Sequence, residues 1–204
     1  MKRKIITIER QYGSGGSIIG KIVAEKLGIK YYNREILEMT AKEKGVDPES
    51  LEEAEERVPT SILYTLFINS SQARAVESTL PLADKVFIWE SNIIKKLSES
   101  EDSFVLVGRC GSYVIGEEKC FSVYIYGDME SRIKRTVEEY GVHERKAENV
   151  IKKADKRRET FHNINTGSAW MDKENYSLCL NSSQLSDELC ADIIVKAFNE
   201  YNRE

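Results

Sequence analysis

A run of glycine and serine between a short apolar segment and an amphipathic one constrains this chain more than any other feature. The apolar run from Lys4 to Ile8 passes through Arg10 into Gly13-Ser14-Gly15-Gly16-Ser17, and a helical pattern follows at once. Glycines tolerate positive φ, and without side chains their N–H groups can converge on an anion at the positive end of a helix. An ordinary strand-to-helix turn would need fewer small residues. The segment therefore predicts a phosphate-binding loop, with the Ser17 hydroxyl at the helix start facing a magnesium ion.

The same loop does not match a dinucleotide-binding fingerprint. In that pattern a third glycine would stand at the position of Ile18, and an acidic residue would end the second strand. Neither is present, so the loop favours a nucleoside phosphate over a dinucleotide.

Short apolar runs alternate with helical patterns along the chain. Five runs read as strands: Lys4 to Ile8, Ile29 to Tyr32, Phe104 to Val107, Phe121 to Tyr126 and Tyr176 to Leu180. Three sets of apolar residues at helical spacing begin at Ile19, Val86 and Leu185, and Asp47, Asp128 and Ser186 are candidate N-caps. Strands separated by helices predict an α/β fold with a parallel sheet that helices cover on both sides.

Length and charge narrow the class of protein. The 204 residues fit a single domain, 1–204, and the net charge of -4 gives no support to a nucleic-acid binder. The N-terminus lacks the pattern of a signal peptide, and no segment is apolar enough to cross a membrane, so we expect a cytoplasmic protein. The four cysteines have no zinc-site spacing and are expected to be reduced thiols, mostly in the core.

The loop and the helix after it resemble the cytidylate kinase-like branch of the P-loop nucleoside monophosphate kinases. The matching residues are Gly13 to Ser17 and then Lys21-Ile-Val-Ala-Glu-Lys-Leu-Gly28. The resemblance implies a three-layer fold around a five-stranded parallel sheet, ATP and Mg²⁺ as cofactors, a helical acceptor insert at about 33–101 and a lid at about 152–174. Two residues depart from the usual loop: Gly16 stands where the phosphate-binding lysine would be, and Arg10 where the first glycine would be.

Two further positions correspond to acceptor-binding residues of that family. Asn33 lies in the segment Tyr31-Tyr32-Asn33-Arg34-Glu35, where the family has an acidic residue, and it either contacts the acceptor or caps the next helix. Arg109 follows a buried strand in Gly108-Arg109-Cys110-Gly111 and would hold the acceptor phosphate. The alternative for Arg109 is an ion pair with a surface carboxylate.

A basic cluster that ends in Arg157 and Arg158 lies on a predicted helix between the fourth and fifth strands. Basic runs are usually solvated helix faces, but Asp155-Lys156-Arg157-Arg158 resembles the lid signature of nucleotide kinases. A closing lid would bring these two arginines to the transferred phosphoryl group.

These features together predict transfer of the γ-phosphoryl group of ATP to a nucleoside monophosphate. Gly13, Ser14, Gly15, Gly16 and Ser17 would hold the donor. Arg10 is the expected substitute for the missing lysine, because it begins the loop, whereas Lys21 fits better as a solvated helix residue. The alternative for Arg10 is an ion pair with Glu9 or another carboxylate that only shapes the turn. Two alternatives remain open: a nucleotide-binding regulatory protein that has lost the chemistry, and a kinase of a non-nucleotide acceptor. The sequence does not specify the oligomeric state.

Overall fold

A computed structural model describes residues 4–55, 80–100 and 103–202. Its sheet has five strands, all parallel, in the order β2-β3-β1-β4-β5. The strands are β1 (Lys4–Arg10), β2 (Lys30–Tyr32), β3 (Ser103–Val107), β4 (Cys120–Tyr126) and β5 (Leu178–Asn181). β1 lies at the centre, so the loop that leaves its carboxyl end is flanked by the carboxyl ends of β3 and β4.

Helices connect the strands and cover the sheet. They are α1 (Gly16–Leu27), α2 (Glu35–Lys44), α3 (Pro48–Glu55), α4 (Leu82–Ser100), α5 (Gly111–Ile115), α6 (Met129–Glu138), α7 (Glu144–Thr166) and α8 (Asp187–Tyr201). Short 3₁₀ turns occupy Glu117–Lys119 and Lys173–Asn175. Within the described parts of the chain, none of these helices combines the length and the apolar character needed to span a membrane.

Alternate residues of β1 face two separate cores, as the two-residue period of a strand requires. Ile6 and Ile8 pack on one side of the sheet with residues of α1 and α8. Ile5 packs on the other side with residues of α2, α4 and α5. The predicted three-layer α/β fold is therefore confirmed.

The local signals in the sequence agree with the structure. Every predicted strand is present within two residues of its expected ends. Asp47, Asp128 and Ser186 each accept a hydrogen bond from a backbone N–H three residues further on, as N-caps do. All four cysteines are free thiols, and three of them are buried.

Two predicted segments are only partly described or have different boundaries. The described parts of the expected insert at 33–101 are helical, whereas residues 56–79 lie outside the described chain. The first fifteen residues of the expected lid at 152–174 belong to α7, a continuous helix of 23 residues, and the lid itself stays a prediction. That helix contains no glycine or proline, so nothing in its sequence interrupts the pattern at 152.

Candidate active site

The loop between β1 and α1 has the backbone that the sequence predicts for an anion-binding site. Gly13 and Gly15 have φ values of 77° and 76°, in the left-handed region that glycine adopts without strain. Helix α1 begins at Gly16, its N-cap is Gly15, and no side chain caps it. The first N–H groups of a helix have no partner within the helix, so those of Gly16 and Ser17 can bind an anion.

Packing also requires glycine in the loop. A Cβ at Gly13 would lie 2.8 Å from the carbonyl oxygen of Arg132, and one at Gly15 would lie 2.8 Å from Nη1 of Arg135. Both arginines belong to α6, and Arg135 is itself paired with Asp187 at the start of α8 through two hydrogen bonds. The loop is therefore supported from one side by α6 and α8.

Arg10 occupies the space that a side chain at position 16 would need. A Cβ at Gly16 would lie 2.5 Å from Cβ of Arg10, and a Cβ at Gly108 would collide with Nη1 of Arg10. The Arg10 side chain thus extends from β1 past the start of α1 towards the end of β3. An arginine at position 10 excludes a lysine at position 16, so the two departures from the usual loop are sterically coupled.

Arg158 lies against the same loop. Its Nη1 donates a hydrogen bond to the carbonyl oxygen of Arg10 at 3.0 Å, and its guanidinium lies 5.5 Å from the centre of the Tyr12 ring. Burial, and then the charge of Arg10, lower the pKa of Arg158 to about 9. An anion beside this buried guanidinium would offset that cost, which is a feature of phosphate sites.

Asp155 attaches α7 to the loop. One carboxylate oxygen accepts a hydrogen bond from the Tyr12 backbone N–H at 2.7 Å, and the other pairs with Nη1 of Arg132 at 2.5 Å. The expectation that both lid arginines reach the loop only after closure therefore needs correction for Arg158, which already contacts it. Arg157 lines a neighbouring cavity instead.

Two cavities meet at Arg10 and Arg158, which line both of them. The first cavity, of about 310 Å³, lies over the glycine loop and includes Ser17 and Tyr140 in its wall. The second, of about 230 Å³, lies at the ends of β1 and β3. We call them the loop cavity and the strand-end cavity. The strand-end cavity is lined by Glu9, Arg10, Glu52, Arg109, Cys110, Arg157, Arg158, Phe161 and His162.

Arg109 enters the strand-end cavity from an unusual turn. Gly108, Arg109 and Cys110 all have positive φ, and Gly111 N–H closes the turn on the Gly108 carbonyl oxygen at 3.1 Å. Left-handed backbone costs a residue with a side chain about 1 to 2 kcal/mol, so the surrounding contacts must hold this turn in place. Nε of Arg109 pairs with Glu90 of α4 at 2.7 Å, and the side chains are only 7% and 1% exposed. The expected alternative partner, a surface carboxylate, is thus wrong, because the carboxylate is buried.

Glu9 and His162 complete the wall of the strand-end cavity. Glu9 is buried, and its Oε2 accepts a hydrogen bond from Nε1 of the buried Trp170 at 3.2 Å. His162 is also buried, with Nε2 3.3 Å from the Ser168 hydroxyl. Burial lowers the pKa of His162, although the nearby charge of Glu9 acts in the opposite direction.

The remaining predicted residues lie away from the two cavities. Asn33 does not cap α2, whose N-cap is Arg34, and its backbone N–H donates a hydrogen bond to Oε2 of Glu35 at 2.8 Å. The preceding Tyr31 donates a hydrogen bond to the Ser17 carbonyl oxygen at 3.0 Å. Lys21 is exposed on α1, in line with the expectation of a solvated residue.

Sequence reasoning missed Glu9, Tyr12 and Glu90 as parts of the site. Of these, only Glu9 carries a local signal, since a carboxylate at the end of a buried apolar strand, directly before the glycine loop, is unusual. The role of Tyr12 depends on its contact with Arg158, and that of Glu90 on its contact with Arg109.

Comparisons with known proteins identify the family. The model of the cytidylate kinase-like family matches residues 5–184. A cytidylate kinase of Archaeoglobus fulgidus is 26% identical over 197 residues, which cover 94% of this chain and 93% of that protein.

Solved structures agree on the fold. An uncharacterized protein from Eubacterium ventriosum is similar with a TM-score of 0.71 and 28% sequence identity. The aligned region covers 96% of this chain and 98% of that protein. A shikimate kinase from Acinetobacter baumannii has a TM-score of 0.53 and 12% sequence identity, over 98% of this chain and 95% of that protein. At this identity the similarity shows the fold alone. With the family model matching most of its length, the chain belongs to the cytidylate kinase-like family.

Proposed function

We propose that this protein transfers the γ-phosphoryl group of ATP to a small acceptor, and that Arg10 takes the part of the absent loop lysine. The observation that carries the proposal is the junction of the two cavities at Arg10 and Arg158. A phosphoryl group in transit between a donor and an acceptor would pass between these two guanidiniums. Such transfers depend on positioning and on stabilising charge at the phosphoryl oxygens, which is what two arginines at that point supply.

The loop cavity suits the donor. Its wall includes Gly13, Gly15 and Gly16, and the first N–H groups of α1 are available to phosphate oxygens. Ser14 is buried and donates a hydrogen bond to the Gln11 carbonyl oxygen at 2.8 Å, so it stabilises the loop and contributes its backbone to the cradle.

Mg²⁺ fits the same cavity through Ser17. Ser17 is the second residue of α1 and lines the cavity. Its hydroxyl can therefore complete the coordination of an ion that the phosphates hold. Residues 4–55, 80–100 and 103–202 contain no cluster of three acidic, histidine or cysteine side chains suited to a metal. The ion would therefore come with the nucleotide, and it would neutralise charge on the β and γ phosphates.

A nucleoside monophosphate is the first candidate for the acceptor. The family match and the name of the Archaeoglobus relative support it, and Arg109 and Arg157 in the strand-end cavity would bind its phosphate. A small hydroxyl compound is the second candidate. It is favoured by the buried carboxylate of Glu9 in the same cavity, which can accept a hydrogen bond from a hydroxyl group.

A coupled assay of ADP formation tests the transfer itself. We expect ADP to form from ATP and Mg²⁺ in the presence of CMP, dCMP, UMP, AMP or a small hydroxy acid, and not to form when Mg²⁺ is removed by chelation. ATP binding without ADP formation for every compound would contradict the proposal, and it would favour the alternative of a regulatory nucleotide-binding protein.

A further inference from the structure

Glu9 is a buried carboxylate with one oxygen left for a ligand. Its side chain is at the end of β1, and Trp170 Nε1 donates to Oε2. Among the residues that the structure describes, no other side chain donates to Glu9, and no ion pair reaches it. The backbone of Trp170 is also held in place. Its backbone N–H donates a hydrogen bond to Oδ1 of Asn163 at 2.9 Å, and its carbonyl oxygen accepts one from the Tyr176 hydroxyl at 2.6 Å. The carboxylate is therefore held in one orientation at the cavity wall.

A fixed carboxylate in this position restricts what the strand-end cavity can accept. The same wall holds four arginines, which favour an anion, whereas Glu9 repels one. Both features are satisfied by a ligand that directs an anionic group at Arg109 and Arg157 and a hydrogen-bond donor at Glu9. The second oxygen of Glu9 accepts no hydrogen bond from the described side chains, so it is available to such a donor.

We propose that Glu9 is the general base of the transfer, and that the acceptor is a small hydroxylated anion which attacks through its hydroxyl group. The proposal rests on the phosphoryl transfer proposed above and selects between its two acceptors. Glu9 immediately precedes Arg10, which places it on the acceptor side of the junction where the phosphoryl group would pass. A monophosphate acceptor is already ionised near neutral pH and needs no base.

The chemical step balances with ATP as the phosphoryl donor. The acceptor oxygen forms a bond to the γ-phosphorus, and the bond from that phosphorus to the β,γ-bridging oxygen breaks, leaving its electron pair on ADP. The hydroxyl proton passes to the free oxygen of Glu9 and then to solvent. A positioned base of this kind contributes about 10²- to 10⁴-fold to a rate.

The size of the cavity agrees with a small acceptor. Its volume of about 230 Å³ lies below the roughly 300 to 1,000 Å³ of pockets that hold drug-sized ligands. Phe161 supplies one apolar surface, and the rest of the wall is mainly charged. A short hydroxy acid or a small phosphorylated alcohol fits this combination.

The groups around Glu9 would shape the pH dependence of the step. Arg158 and His162 face it from α7, Cys110 from the turn after β3, and Tyr124 and Tyr176 from β4 and the segment before β5. Burial, the largest influence on each of the three acidic groups, raises the pKa of Cys110, Tyr124 and Tyr176, which keeps them neutral near pH 7.

The test compares the full-length protein with its Glu9→Gln variant. The amide oxygen of glutamine can still accept the indole hydrogen bond, so the fold should be kept, which the thermal unfolding midpoint checks. ADP formation is measured with two sets of acceptors: glycerate, gluconate and shikimate, and then CMP, UMP and AMP. Basal ATP hydrolysis, in which water replaces the acceptor hydroxyl, is measured in parallel, and Glu53→Gln on the exposed face of α3 is the control.

We expect turnover with a hydroxy acid, and Glu9→Gln should lower both kcat and basal hydrolysis at least about 100-fold. ATP affinity should hold in both variants. Turnover confined to monophosphates, or an unchanged kcat in Glu9→Gln, would overturn the assignment and leave the phosphoryl transfer standing. Absence of ADP with every acceptor would overturn the proposed function, and the base assignment with it.

Discussion

Nη1 of Arg158 donates a hydrogen bond to the carbonyl oxygen of Arg10 across 148 positions of sequence. This contact joins the middle of α7 to the end of β1 and brings two guanidiniums to the boundary between the loop cavity and the strand-end cavity. The charge of Arg10 contributes to the lowered pKa of Arg158, and the charges of Asp155 and Glu9 act in the opposite direction. The proposed path of the phosphoryl group between the two cavities depends on this pair of arginines.

A comparison of two glycines separates backbone strain from ligand binding. Gly15 and Gly28 both have positive φ, but a Cβ at Gly28 meets nothing within 4 Å, whereas one at Gly15 meets Arg135 and Asp187. Gly28→Ala should therefore lose only about 1 to 2 kcal/mol of stability, the cost of left-handed backbone. Gly15→Ala should lose at least as much and also bind ATP more weakly. Equal ATP affinity in the two folded variants, measured by calorimetry, would remove the loop from the donor site.

Arg109 is expected to serve the acceptor and the fold at once. Arg109→Ala leaves Glu90 buried without this cation, which should cost about 3 to 5 kcal/mol of stability. The double variant Arg109→Ala/Glu90→Gln removes the uncompensated charge and should recover part of that stability without recovering acceptor affinity. Its ATP affinity should match that of the unmodified protein. If ATP binding is lost and acceptor binding stays, the donor and acceptor assignments of the two cavities are reversed.

His162 should make the fold less stable in acid. Burial lowers its pKa below the ordinary value of 6.5, so the unfolded chain takes up the proton first as the pH falls. The stability that depends on neutral His162 is complete above about pH 6.5 and decreases below it. Denaturant unfolding between pH 7.5 and 5 should show this decrease, and His162→Gln should reduce it. An identical pH dependence in the variant would rule out His162 as its source.

The parts of the fold that could be predicted from the sequence are those that depend on local patterns. Strand ends, the N-caps Asp128 and Ser186, and the glycine loop follow from periodicity and from residue types that act on their own neighbours. The continuity of α7 from Glu144 to Thr166 also had a local signal, the absence of glycine and proline.

Contacts between distant residues account for what the sequence did not reveal. Glu9 and Trp170 are 161 positions apart, and Arg109 reaches Glu90 only because α4 packs beside the end of β3. Arg10 excludes a side chain at position 16 because its own side chain runs past the start of α1, and no spacing rule predicts that direction. The sequence therefore predicts a phosphate site at the glycine loop, but not which charged groups surround that loop.

The exchange of two residues in the loop tests the central claim most directly. Arg10→Gly and Gly16→Lys together restore the glycine and lysine of the usual phosphate loop. Each change alone should impair the transfer. Arg10→Gly removes the cation, and Gly16→Lys places a side chain where it collides with Arg10. We expect each single variant to lower kcat for ADP formation about 10²- to 10³-fold, and the double variant to recover most of it. Lys21→Ala should be without effect. An unchanged kcat in Arg10→Gly, or a double variant no faster than Arg10→Gly, would contradict the assignment of Arg10 as the substitute for the lysine.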